Sequence, residues 1–169
     1  LAIIGAGWIG LEVAAAARSR DLAVTVIENA ELPLLKALGR ENAEVFAGLH
    51  TGHGVDFRFG ATVEGITTTA GGPASGVRLG DGSTVSADAV LIAVGAEPNR
   101  GLAERAGLDI VDGGLAVDAS LRTSDPDIYA VGDIAAAEHP LFGTRIRTEH
   151  WANALKQPAV AVAGMLGTP

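Results

Sequence analysis

The sequence predicts an α/β fold: a Rossmann-like parallel sheet with an inserted antiparallel β-meander, followed by part of a second α/β domain. Three observations carry that reading. The chain opens LAIIGAGWIGLEVA, an apolar run that passes through Gly5, Gly7 and Gly10 into a helix-like segment. Leu1–Ile4, Val24–Ile27 and Ala89–Val94 are continuous or nearly continuous apolar runs, as parallel strands covered on both faces require. Between the last two, residues 61–87 break into short β-rich pieces divided by Gly71-Gly72 and Gly80-Asp81-Gly82, and an Asp-Gly pair between such pieces signals a hairpin.

Taken in order, Leu1–Ile4 reads as a buried strand and the glycines turn the chain straight into a helix with Leu11–Ala17 behind them. In this strand–turn–helix setting each glycine has a task. Gly5 permits the tight turn, Gly7 lets the backbone approach a pyrophosphate, and Gly10 lets helix and strand pack closely. The first-turn amides then face an anion at the positive end of the helix. Ala23–Ile27 makes the second strand and ends at Glu28, eighteen positions after Gly10, where an acid meets an adenosine ribose. An amphipathic helix spans Leu34–Leu49, with Leu35, Leu38, Ala43, Phe46 and Leu49 as its apolar face and Gly52 and Gly54 closing it. Val55–Phe59 alternates as a third strand, and Thr62–Thr68, Gly76–Leu79 and Thr84–Ser86 form the meander where an ordinary nucleotide fold has a crossover helix. Ala89–Val94 returns to the parallel sheet and stops at Gly95-Ala96-Glu97-Pro98-Asn99, a natural seam. The expected domains are therefore residues 1–97 and 98–169. In the second, Leu102–Ala106 reads as a short helix, Leu115–Val117 and Ile128–Val131 as strands, and Thr148 or Glu149 begins a last helix through Leu166. Pro158 is expected to kink or split that helix.

Composition bounds the function. The 169 residues are 48 % hydrophobic but only 4 % aromatic, so the core is aliphatic and alanine-rich. A net charge of −8 argues against nucleic acid or an anionic membrane surface as partner. No run of about 18 apolar residues suggests a membrane span. The chain has no cysteine, hence no disulfide, thiolate metal site or redox dithiol, which fits a cytoplasmic protein. Leu1 already lies within a strand and the one methionine is Met165, so the chain reads as a piece of a longer polypeptide. No GxSxG elbow frames a serine nucleophile, which argues against a hydrolase. His50 and His53 stand three apart without a third ligand close in sequence, and read as caps of a helix C-terminus.

GAGWIGLEVA, the acid at Glu28, AVGAEPN, TSDPDIYAVGDIA and EHWANALKQ follow one another in a fixed order over essentially the whole chain. This set resembles the flavoprotein pyridine-nucleotide–disulfide oxidoreductase superfamily, and looks most like its cysteine-free ferredoxin/rubredoxin reductase branch. Thioredoxin-reductase-like relatives carry a CxxC in the NAD(P) domain, which is absent here; glutathione-reductase-like relatives carry theirs in a segment this chain does not contain, so they stay open. The resemblance implies an NAD-binding domain in residues 1–97 and the second segment of an FAD-binding domain in 98–169. It implies an enzyme that takes hydride from NADH onto FAD and passes electrons to a small iron–sulfur protein, a ferredoxin or rubredoxin, with a homodimer as one possible assembly. An NADH oxidase, a peroxidase, a nitrite-reductase flavin subunit and a non-catalytic NAD/FAD-binding module remain as alternatives. This chain by itself is expected to be inactive.

The resemblance also assigns residues. Glu12 faces the nicotinamide carboxamide, or is simply an acid in the first turn of a helix. Trp8 stands where related reductases often have a tyrosine that shields the flavin, or packs at the domain seam. Ile9 lies between the fingerprint glycines. Lys36 stands where relatives place a base near the adenosine phosphate, a surface lysine being the alternative. Val94 and Gly95 end the last parallel strand beside the nicotinamide ribose. Gly132 and Asp133 form the turn whose acid holds a ribityl hydroxyl of FAD. Glu149, His150 and Trp151 open the final helix, whose first amides face the flavin pyrimidine edge. No side chain need act as acid or base, since hydride passes directly between the two cofactors.

Overall fold

The computed structural model describes residues 1–167. It divides into two compact units, Leu1–Gly95 and a second that begins at Ala96.

In unit 1, β1 (Ala2–Ile4) leads into α1 (Trp8–Arg18), then β2 (Val24–Ile27), α2 (Leu35–Gly52) and β3 (Val55–Arg58). The antiparallel strands β4 (Val63–Thr68), β5 (Ala74–Leu79) and β6 (Thr84–Ser86) follow before β7 (Val90–Ile92). The main sheet has the order β3-β2-β1-β7 and is parallel throughout, with Ile3 opposite both Val26 and Leu91. Its apolar runs are continuous because both faces are covered. Ile3, Val24 and Val26 meet Leu11 and Ala14 of α1 on one side; Ala2 and Ile27 meet Val77 and Leu79 of the meander on the other. The meander is a separate sheet, β4-β5-β6, and its Asp-Gly turn is closed by Asp81 Oδ1, which accepts from the Ser83 amide at 2.9 Å and its hydroxyl at 2.7 Å.

Two details depart from the sequence reading of unit 1. The last parallel strand is shorter than Ala89–Val94, so Val94 lies beyond it and is exposed. In α2, Gly39 leaves the helical conformation (φ 75°, ψ 170°). The face therefore changes phase: Ala43 and His50 are buried, whereas Leu49 is 53 % exposed. A single helical wheel through Leu34–Leu49 could not anticipate that shift.

Unit 2 runs α3 (Gly101–Arg105), β8 (Ile110–Val111), β9 (Gly114–Val117), a 3-10 turn (Gly132–Ile134), β10 (Ala135–His139), β11 (Thr144–Arg147) and α4 (Trp151–Met165). Its sheet has the order β11-β10-β9-β8. Two expectations fail here. Ile128–Val131 is not a sheet strand; Tyr129 makes an isolated bridge to Arg122, and Ala130 donates to the Leu121 carbonyl. The sheet position is taken instead by β10, whose AAAEH sequence carries no strand pattern. Packing of Ala135 and Ala136 against β9 decides it, a tertiary override of propensity. Finally, α4 begins at Trp151 rather than Thr148 or Glu149, and continues through Pro158 without a break. One proline forfeits one hydrogen bond, which fourteen other residues and the burial of Ala161 outweigh.

His50 supplies a test of unit 1. It is 8 % exposed and meets the Phe57 ring edge-on at 6.4 Å. Burial, reinforced by the neighbouring His53, lowers its pKa below the ordinary 6.5. A histidine held neutral in the fold gives its full contribution above the unfolded pKa and loses it as pH falls. Urea midpoints should therefore drop as pH falls below about 6.5, and His50→Leu should flatten that part of the profile. Parallel profiles for the two proteins would refute the assignment.

Candidate functional site

The glycine turn between β1 and α1 is built from backbone contacts. Gly5 has φ +101°, and a Cβ there would lie 2.4 Å from the Ala93 carbonyl oxygen. A Cβ on Gly10 would lie 2.1 Å from the Gly5 carbonyl oxygen and 3.5 Å from Ile3 Cγ2. At Gly7, in contrast, no atom lies within 4 Å of the added carbon. Gly7 is the N-cap of α1, and no side chain caps the helix. The amides of the first turn, which have no intrahelical acceptor, thus border open space at the carboxyl edge of a parallel sheet, where ligands of such sheets bind.

The turn is tethered to the exit of β2. Gly5 N donates to the Ile27 carbonyl at 2.8 Å and Leu34 N to the Ala6 carbonyl at 3.1 Å. Glu28 forms the charged part of the tether: Oε2 accepts from Ala6 N at 2.7 Å and Oε1 from Ala30 N at 2.9 Å. Both oxygens keep lone pairs for further donors.

Around this turn, Trp8 is 53 % exposed and meets Phe46 of α2 edge-on at 6.3 Å. Ile9, Glu12 and Lys36 are exposed on α1 and α2. Gly95 adopts φ +106° with open space around it, two residues after the Ala93 that touches Gly5. The structure thus gathers Gly5, Gly7, Gly10 and Glu28 at one sheet edge, with Trp8 and Ile9 in the adjoining helical turn. Lys36 is the second residue of α2, close in sequence to the Leu34 that bonds Ala6.

In unit 2, Gly132 has φ +77°, and its amide donates to Gln157 Oε1 of α4 at 2.6 Å. Asp133 lies in the 3-10 turn and is exposed, while its carbonyl accepts from Arg147 Nη1 at 3.2 Å. His150 is the N-cap of α4; its Nδ1 accepts from Ala152 N at 3.0 Å, and its ring stacks on Trp151 at 5.5 Å. Trp151 is 70 % exposed. Glu149 lies just before the helix, paired with Arg147 at 2.7 Å. Sequence reasoning gave no role to Ala6, Gln157 or Arg147. Gln157 lies one helical turn from Ala154, the residue that faces Gly132; all three act through contacts with no local pattern.

The histidine pair is accounted for by the fold. His53 Nδ1 lies 2.8 Å from the Leu49 carbonyl at the end of α2, and no cluster of three metal-ligating side chains exists among the described residues.

Residues 1–158 match the family model described as pyridine nucleotide-disulphide oxidoreductase. Rhodocoxin reductase of Rhodococcus erythropolis is 44 % identical over 168 residues, covering 99 % of this chain and 39 % of that protein. The anthranilate 1,2-dioxygenase system ferredoxin–NAD(+) reductase component of Burkholderia cepacia is 43 % identical over 167 residues, 99 % of this chain and 40 % of the relative. The crystal structure of the covalent putidaredoxin reductase–putidaredoxin complex superposes with a TM-score of 0.93 at 36 % identity, covering 99 % of this chain and 40 % of that one. The chain spans about two fifths of the length of these relatives.

The open and closed glycines make opposite predictions for the fold. Gly10→Ala drives a methyl into a carbonyl oxygen and should cost at least ~2 kcal/mol, the scale of overpacking. Gly7→Val, at an extended φ of −79° and in open space, should stay within ~1 kcal/mol. Chemical denaturation of both variants checks this; equal losses would mean that the turn is looser than its geometry.

Proposed function

The chain belongs to the pyridine nucleotide-disulphide oxidoreductase family, and we propose that it supplies the NAD-binding domain (residues 1–97) and one wall of the FAD site (residues 98–169) of an NADH-dependent reductase. That enzyme passes electrons to a small iron–sulfur protein of the ferredoxin or rubredoxin kind. The observation that carries the reading is the glycine turn, closed against backbone at Gly5 and Gly10, open at Gly7 and tethered to an acid at the end of β2. The choice of acceptor is supported by the ferredoxin reductase component and the putidaredoxin complex among the similar proteins.

The residues fit both cofactors. Open space at Gly7 beside the uncapped start of α1 suits a pyrophosphate. Glu28, its carboxylate already oriented by two amides, accepts hydrogen bonds from the adenosine ribose. Glu12 accepts from the carboxamide, Trp8 and Ile9 line the same turn, Val94 and Gly95 lie by the nicotinamide ribose, and Lys36 lies near the adenosine phosphate. In unit 2 the exposed Asp133 binds a ribityl hydroxyl, Gly132 keeps its turn, and Glu149, His150 and Trp151 bring the start of α4 to the flavin pyrimidine edge. The positive end of that helix favours negative charge there. When bound, the two cofactors supply direct hydride transfer; the protein orients them and excludes water. With no cysteine and a net charge of −8, and with no helix among the described residues long and apolar enough to cross a membrane, we place the enzyme in the cytoplasm, free of nucleic acid and membrane. Exposed Leu155 on α4 and Leu166 just after it support self-association, with a homodimer as its simplest form.

Steady-state reduction of a ferredoxin by NADH, using the FAD-loaded protein that carries this chain, tests the reading; binding of both cofactors without turnover would favour a non-catalytic module. Glu28 adds a sharper expectation. A 2′-phosphate replaces a hydrogen-bond donor with a second anion beside the carboxylate, and contact repulsion costs about 1 kcal/mol in water and about 4 kcal/mol at an effective dielectric of 20. NADH should therefore bind about fivefold or more tightly than NADPH. Glu28→Ala should erode the preference by weakening NADH, and Glu28→Arg should favour NADPH. Tighter NADPH binding by the unmutated protein in a fluorescence titration would show that Glu28 does not face the ribose.

A further inference from the structure

Unit 2 holds one charged side chain that joins three separate stretches of chain, and the roles assigned above do not use it. Arg147 closes β11, opposite Ala136 of β10. Its Nε donates to the Asp112 carbonyl between β8 and β9, and its Nη1 to the Asp133 carbonyl, each at 3.2 Å. Nη1 also pairs with the Glu149 carboxylate at 2.7 Å. The side chain is only 19 % exposed. Its stem lies so close to β9 that a Cβ on Gly114 would stand 2.8 Å from Arg147 Cδ and 2.5 Å from the Ile134 carbonyl oxygen.

We propose that Arg147 is a positioning residue for the flavin site: it fixes the Gly132-Asp133 turn relative to the start of α4 and thereby governs FAD affinity. This rests on the reading of unit 2 as one wall of the FAD site. The turn is held at two adjacent residues, by Gln157 at the Gly132 amide and by Arg147 at the Asp133 carbonyl. With both held, the backbone that carries the Asp133 carboxylate is fixed before any ligand arrives. The same guanidinium holds Glu149, next to the His150 cap, so the turn and the helix start are referred to one point. It also offsets the charge of Glu149, which would otherwise weaken the positive end of α4. A planar fork can serve several fixed oxygens at once, whereas an ammonium acts as a flexible point charge.

The test uses Arg147→Met, which keeps length and loses the charge, and Arg147→Lys, which keeps the charge and loses the fork. Three quantities are read on the protein carrying this chain. They are FAD affinity by flavin fluorescence, amide hydrogen exchange at 132–134, and the thermal midpoint without FAD. Arg147→Met should weaken FAD about tenfold or more, the scale of one lost charge-assisted hydrogen bond. It should speed exchange at 132–134 more than elsewhere in unit 2 and lower the midpoint by no more than a few degrees, while Arg147→Lys recovers only part of the affinity. Unchanged FAD affinity, full recovery by lysine, or an affinity loss that merely follows a lower midpoint without local exchange would overturn the proposal. If Arg147→Met does not fold, the lysine variant decides alone, since wild-type affinity in it refutes the need for a fork. A wild-type protein that binds no FAD overturns the functional reading and the affinity claim together, a result separate from the exchange response of the variants.

Discussion

The tightest constraint in unit 1 lies between backbone atoms. Gly10 rests on the Gly5 carbonyl and Gly5 on the Ala93 carbonyl, at separations that leave no room for a side chain on either glycine. Helix α1 therefore sits directly on the end of β1, and the exit of β1 directly beside the exit of β7. Leu11 and Ala14 are buried by that seating, and the first-turn amides of α1 are carried over the carboxyl edge of the sheet. A side chain at either position would have to move the helix, and with it every group the helix aims. Gly7 differs because nothing stands against it, so its lack of a side chain leaves space for a ligand rather than for the fold.

Strand register explains why one carboxylate joins this arrangement. Ile4 lies opposite Ile27 in the parallel ladder, so the residues that follow, Gly5 and Glu28, leave the sheet side by side. A glutamate there reaches the Ala6 amide without distortion, and a charge-assisted hydrogen bond of this kind is about twice as strong as a neutral one. The side chain is consequently ordered in the free protein. A ligand that uses its remaining lone pairs meets an acceptor already in position and avoids part of the ordering cost that binding otherwise carries.

Much of unit 1 is legible because its determinants are local. Covered parallel strands appear as apolar runs, the close-packed turn as glycine spacing, and the hairpin as Gly80-Asp81-Gly82. What escaped depends on partners distant in sequence. His50 takes the buried place expected of Leu49 because Gly39 shifts the helical phase. The strand β10 has an alanine-rich sequence that only its pairing with β9 makes extended. Ile128–Val131 has a better strand composition, yet the chain there turns back on residues 121–123 and satisfies its amides locally. Hydrophobic composition picked out Ile128–Val131, of which Ala130 is buried, and passed over the buried Ala135 and Ala136; it did not decide which segment entered the sheet.

The two candidate sites are held by different kinds of interaction, and that difference sets how each can change. The turn in unit 1 is fixed by the absence of side chains, so almost any substitution at Gly5 or Gly10 alters the backbone itself. The turn in unit 2 is fixed by two polar side chains, Gln157 and Arg147, which reach it from 25 and 14 residues along the chain. Neither belongs to the motif that marks the turn, which is why the motif could be found and its supports could not. Replacing such a support changes one or two hydrogen bonds, each a net contribution of about 1 kcal/mol or somewhat more where charge is involved, and leaves the sheet beneath it intact. Graded adjustment of binding is therefore available in unit 2 through residues outside the turn, whereas in unit 1 the same geometry is either kept or lost.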